Sequence, residues 1–154
     1  MIAVETVLVV LAAVGSGAVG GVFFTFDGFV LRALARLPGD GGADAMRAIN
    51  VTAVRPPLMI AMFGTAALAV AVVVLGARTD DGVRAALLVG GSLTYLLGVI
   101  GTTIARNVPL NDALAAERTG AMWERYLRSW GRTNRVRTVA GLLGAAALTV
   151  GLTR

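Results

Sequence analysis

The sequence predicts an all-α integral membrane protein, a four-helix bundle whose two long connections share one face and contain short interfacial helices. Three observations carry that expectation. Hydrophobic residues make up 56% of the 154-residue chain and charged residues only 15%, where soluble domains run about 25% charged. Mean hydropathy is +0.78, and so small a domain has too little interior to hide that much apolar surface from water. The apolar residues also fall into four runs, each close to the ~20 residues that a helix needs to cross a bilayer. Residues 1–154 are read as a single transmembrane domain, with spans at about residues 2–31, 57–76, 83–105 and 134–152.

The first run is broken only by Glu5, Thr6, Ser16 and Thr25. No Lys or Arg precedes Arg32, so the basic n-region of a cleaved signal peptide is missing and the run is read as a retained span. Its apolar pattern continues through Phe29 and stops at Pro38-Gly39-Asp40-Gly41-Gly42. A long connection follows, with a short helix expected at residues 43–51. Pro56-Pro57 opens the second span, because proline is favoured at the first helical position. A tight turn through Asp80-Asp81 leads to the third span, in which Thr94 and Tyr95 read as an interhelical hydrogen bond.

The second long connection opens with Asn107-Val108-Pro109-Leu110-Asn111. Asn111 reads either as the N-cap of a short helix at 112–117 or as a group facing a pocket. Residues 121–134 are amphipathic, with Met122, Trp123, Tyr126, Leu127 and Trp130 opposite Glu124, Arg125, Arg128 and Arg132. Tryptophan and tyrosine on a basic helix suit the headgroup region. Glycines punctuate the spans, and Gly17 with Gly21 makes one GxxxG. Such residues let backbones approach closely in lipid. Packing within one chain is the expected use; a homo-oligomer is left open.

Composition excludes several chemistries. The chain has no His and no Cys, which removes thiolate nucleophiles, Fe–S clusters, zinc sites, His-ligated haem and Ser-His-Asp triads. No metal site and no cofactor are expected. The net charge of +5 comes from fourteen basic residues, all Arg. Juxtamembrane arginines account for it through the positive-inside rule, so nucleic acid is not an expected partner. Arg32, Arg36, Arg47, Arg55, Arg106, Arg118, Arg125, Arg128, Arg132, Arg135 and Arg137 belong to the long connections and their borders; only Arg78, Arg84 and Arg154 lie on the other side. The long connections are therefore expected in the cytoplasm, with a bacterial plasma membrane as the location.

Four antiparallel spans bring the unusual residues to one membrane face: Asp27, Asn50, Arg55, Arg106, Asn107, Asn111, Trp123, Trp130, Asn134 and Arg137. Each also has a plainer reading, the arginines as snorkelling anchors and the tryptophans as interfacial ones. Together they describe a pocket with aromatic walls and fixed polar donors, suited to a flat phenolic or enolic ligand drawn from the bilayer. Asp27, flanked by Phe26 and Phe29, needs a cation, and Arg55, Arg106 or Arg137 is expected to supply it.

The segments Gly21-Val22-Phe23-Phe24-Thr25-Phe26-Asp27-Gly28-Phe29-Val30, Met46-Arg47-Ala48-Ile49-Asn50 and Arg55-Pro56-Pro57, then Arg106 through Asn111, Trp123 through Trp130 and Asn134-Arg135-Val136-Arg137, carry a resemblance. The chain resembles the DUF1772 family of small four-helix membrane proteins, which includes the anthrone oxygenases. The resemblance implies a monooxygenase that needs no cofactor, with a hydrophobic aromatic molecule and O₂ as partners. It implies catalytic roles for Asp27 as base and for Arg106, Asn107 and Arg137 at the developing oxyanion. Asn50, Arg55, Asn111, Trp123, Trp130 and Asn134 would hold the substrate. Two other classes stay open on the residues alone: a small proton-coupled transporter using Asp27, and a non-catalytic membrane accessory protein.

Overall fold

A computed structural model describes residues 2–154, and every regular element among them is helical. The first helix, α1 (Ile2–Thr25), passes through a π-helical turn at Phe26–Val30 into α2 (Leu31–Leu34). A turn with Gly39 at φ +56°, a left-handed conformation that glycine adopts without steric cost, leads to α3 (Gly41–Ala53). The expected short helix is thus present and longer by a few residues at its ends. The second spanning helix is α4 (Leu58–Gly76). The peptide bond between Pro56 and Pro57 is cis.

The third helix departs most from expectation. α5 (Gly82–Tyr95) runs through π-helical turns at Leu96–Gly101 and Thr103–Asn107 directly into α6 (Val108–Ala116), one helical rod over Gly82–Ala116. Asn111 is therefore inside a helix and not the N-cap of a new one. The sequence argues for a break because proline lacks an N–H and its ring clashes with the preceding turn. The wider π turn just ahead of Pro109 takes up that clash, so the helix continues. The second long connection contracts to residues 117–119. Beyond it α7 (Gly120–Gly151) fuses the amphipathic stretch and the fourth span into one helix of 32 residues. Thr119 caps it, accepting from the Met122 N–H at 3.2 Å.

Three helices, Ala3–Leu34, Leu58–Gly76 and Gly82–Ala116, are long and apolar enough to cross a membrane. The fourth helix of the bundle, α7, carries polar groups in the corresponding segment and buries them against its neighbours: Asn134, Arg137 and Thr138 are all buried. Its packing on α1 is extensive and rests on small residues. A Cβ on Gly141 would lie 2.7 Å from the Gly20 Cα, and Ser16 Oγ donates to the Gly141 carbonyl at 2.8 Å. Of the expected GxxxG pair, Gly17 packs within the chain against Ala145 of α7, whereas Gly21 has open space around it. Tyr95 does make the interhelical hydrogen bond, donating to the Met62 carbonyl at 2.9 Å, whereas Thr94 bonds within its own helix to Gly90.

Beyond the spans, α3, α6 and the first half of α7 form a cap. Its apolar core contains Leu34, Met46, Leu114, Met122, Tyr126 and Trp130. Arg47 pins it, donating from Nε to the Leu114 carbonyl at 2.9 Å and from Nη2 to the Glu117 carbonyl at 3.3 Å. A guanidinium at the carbonyl end of α6 also sits favourably in the helix dipole.

Candidate functional site: a chamber under the cap

Where the cap meets the spans, a cavity of about 170 Å³ is lined by Phe23, Phe26, Met46, Ile49, Asn50, Met62, Thr103, Asn111, Trp130 and Arg137, among others. Its walls come from the end of α1, the π-helical turns at Phe26–Val30 and Thr103–Asn107, the start of α4, and parts of α3, α6 and α7. The wall is mostly apolar, with a few convergent polar groups, the usual make-up of a small-molecule site.

Arg137 is the charged group of this chamber. Only 5% of its surface is exposed. Nη2 donates to Asn134 Oδ1 at 2.8 Å, and Nη1 donates to Thr103 Oγ1 at 3.4 Å. The guanidinium carbon lies 4.0 Å from the centre of the Phe23 ring and 5.0 Å from that of Trp130, so ring faces stabilise the cation where water cannot. Its Nε is buried with no hydrogen-bond partner.

Behind Arg137 lies a connected polar layer. Asn134, fully buried, donates to Asp27 Oδ1 and to the Phe23 carbonyl, each at 2.9 Å. Thr138 donates to Asp27 Oδ2 at 2.6 Å. Asn107, with its amide oriented to satisfy both ends, accepts from Trp130 Nε1 at 3.2 Å and Arg137 Nη2 at 3.1 Å and donates to Thr133 Oγ1 at 3.2 Å. Asp27 and Asn107 both sit in π-helical turns, a feature that recurs at functional sites because it redirects side chains out of helical register.

On the cap side, Tyr126 donates to Asn111 Oδ1 at 2.7 Å and receives the Asn50 amide at 3.5 Å. Burial pushes the Tyr126 phenol above its ordinary range, while the hydrogen bond from Asn50 and the charge of Arg137 pull the other way. Its ring stacks between those of Trp123 and Trp130, with centroids 5.8 and 5.7 Å apart and planes within 18° and 20°.

The ten residues expected at this face thus sort into groups. Asn50, Asn111, Trp130 and Arg137 line the chamber. Asp27, Asn107 and Asn134 form the layer behind it. Trp123 stands one ring further out, against Tyr126. Arg55 is exposed at an outer groove next to the chamber. Arg106 is exposed and lines a different groove with Arg125 and Arg132. The expected Asp27–arginine ion pair is absent. Among the described residues the ion pairs are Arg47–Asp44 and Arg128–Glu124. Neutral donors from Asn134 and Thr138 satisfy the half-buried Asp27 carboxylate instead.

Comparison with protein families matches residues 57–147 to the anthrone oxygenase family. The matched stretch holds most of the spanning bundle and the cap helix with Trp123 through Arg137. The chain belongs to the anthrone oxygenase family. No curated protein and no solved structure matches it. In this anthrone oxygenase family member, Tyr126, Phe23, Thr103, Thr133 and Thr138 join the site in addition to the residues expected there. One signal was available. Trp130, Asn134, Arg137 and Thr138 follow a helical i, i+4, i+7, i+8 spacing, so that a polar stripe lies on one face of a helix that must be buried. No group of three or more Asp or Glu among the described residues could hold a metal ion.

Proposed function

We propose that this protein is a membrane-embedded oxygenase that binds a phenolic or enolic aromatic compound of the anthrone type in the chamber under the cap and promotes its oxidation by O₂. The observation that carries the reading is Arg137, a buried cation fixed by Asn134, Asn107 and two aromatic faces on the wall of an apolar chamber. A cation held in a dry site favours the anionic form of a bound enol or phenol. Asn50 and Asn111 supply further polar contacts, and Trp130 and Phe26 supply ring surface.

The chemistry then follows from the substrate. Loss of the C–H proton from an anthrone leaves an electron-rich enolate. The enolate carbon forms a C–O bond with O₂ through one-electron transfer and radical recombination, giving a peroxide anion that takes a proton back from water to become the hydroperoxide. Loss of water from that peroxide yields the quinone, with one oxygen atom retained and the other released in water. Asp27 does not line the chamber. Its part in this scheme is to orient Arg137 through Asn134, and the substrate proton leaves to water.

The reading is tested by adding emodin anthrone in air to the purified protein in nanodiscs and following O₂ uptake and quinone formation. Arg137→Ala and Asn107→Ala run beside it. A rate above buffer autoxidation that both substitutions abolish supports the assignment. A wild-type rate equal to autoxidation removes the enzyme reading for that substrate.

A further inference from the structure

The chamber is smaller than the about 300–1,000 Å³ of sites that enclose a whole drug-sized ligand. It is not closed. Val22, Ala53 and Leu58 line the chamber and also a second, outer groove of about 460 Å³. That groove is walled by Ala18, Val19 and Val22 of α1, by Thr52 and Ala53 of α3, and by residues 55–58 and Ala61 at the start of α4. α1 and α4 are pressed together at Gly15, where an added Cβ would overlap Thr65 Oγ1, and the groove lies on the cap side of that contact, between residues 18–22 of α1 and 55–61. Ala18, Val22 and Thr52 are exposed. α1 and α4 both belong to helices long and apolar enough to cross a membrane, so in a bilayer a groove beside them faces lipid, and Arg55 is exposed among its lining.

We infer that the ligand is elongated, with one oxygenated ring in the chamber against Arg137 and an apolar remainder leaving sideways between Val22, Ala53 and Leu58 into the lipid-facing groove. The inference rests on the chamber reading above and adds one feature to it: the phenol or enol carries a hydrocarbon tail, and the lipid-facing groove is where that tail sits. Two features of the groove favour that occupant over water or a polar chain. Its lining is apolar apart from Thr52 and Arg55, and it is continuous with the wall of the chamber. An apolar tail gains little free energy by moving from lipid to protein, since both are hydrocarbon-like. The groove therefore selects by shape, admitting ligands whose extension points towards Val22 and Ala53.

The test uses two probes with the same resorcinol head: orcinol, bearing a methyl group, and olivetol, bearing a pentyl chain. Binding to the protein in nanodiscs is read by quenching of tryptophan fluorescence. Ala18→Phe and Thr52→Phe fill the groove from α1 and from α3, at exposed positions that do not line the chamber. Each is expected to weaken olivetol about tenfold or more, on the scale of an overpacked contact, and to leave orcinol unchanged. Unchanged olivetol binding in both variants overturns the groove as the seat of the tail, as does an equal loss of both probes. Binding of neither probe to the wild-type protein refutes the chamber reading itself, and the inference falls with it.

Discussion

Asp27 and Arg137 share one amide, that of Asn134, which donates to the carboxylate at 2.9 Å and accepts from the guanidinium at 2.8 Å. The two charges are therefore linked without touching. A direct ion pair would neutralise Arg137. The amide instead fixes its position and leaves part of the guanidinium free on the chamber wall, which is what a ligand anion requires.

Asn134→Leu removes both halves of that link at a position buried from solvent. Each polar group left unsatisfied costs about 1–3 kcal/mol, so thermal unfolding in detergent should begin at clearly lower temperature than in the wild type. Asn134→Asp brings a second carboxylate beside Asp27 and should be no better. An unchanged melting curve for Asn134→Leu would mean that the layer behind Arg137 is not structural.

Arg137→Lys keeps the charge but loses the planar fork that reaches Asn134 and Thr103 together. Under the proposed function, oxidation of emodin anthrone should fall about 10²–10³-fold, as when one stabilising donor is removed from an oxyanion site. Stopped-flow absorbance of the quinone product measures it. Near wild-type turnover in Arg137→Lys would show that only the charge matters and not its direction.

The helix seam gives a paired prediction. Gly141→Ala places a methyl group 2.7 Å from the Gly20 Cα, against backbone that cannot yield locally; α1 and α7 must separate, and the protein should lose about 1–3 kcal/mol. Gly21→Ala meets nothing within 4 Å and should be neutral or slightly stabilising, because alanine favours the helix by about 1 kcal/mol. Both are read by denaturation in mixed micelles. A change of oligomeric state in Gly21→Ala alone would point to a dimer seam at that glycine.

Tyr126 sets an alkaline limit. Burial raises its phenol above the ordinary value of 10.0, so the folded protein keeps it protonated where the unfolded chain begins to lose the proton. Its contribution to stability is fully present below pH 10 and declines as pH rises above that value. Phenolate absorbance in wild type minus Tyr126→Phe should show no titration of this residue up to pH 10. A phenolate signal at lower pH would mean that the ring is not buried between Trp123 and Trp130.

Much of this protein was legible in its sequence because the bilayer imposes a simple code. Run lengths of apolar residues mark the spans, and the clustering of Asn107, Asn134 and Arg137 with Trp130 follows from the antiparallel order of those spans. Helix continuity was not legible. Pro109 and the asparagines around it have the signature of a break, and only a π-helical turn packed among α5, α6 and α7 lets the helix pass through them. Nor could residue counting choose among the arginines. Arg55, Arg106 and Arg137 look alike in sequence, each beside an apolar run, but Arg137 alone of the three falls on the face of α7 shared by Trp130, Asn134 and Thr138 and turned to the bundle interior.

The sequence by itself determined the class of solvent, the number of helical runs and the face at which polar groups gather, since these depend on composition and on order along the chain. The tertiary structure decided which charge is buried, that Asn134 separates it from Asp27, and that Val22, Ala53 and Leu58 of the chamber wall also line a groove beside α1 and α4. Those outcomes depend on helix rotation and crossing, set by close contacts such as Gly20 on Gly141 and Gly15 on Thr65, and a one-dimensional pattern does not encode the angle at which two helices meet.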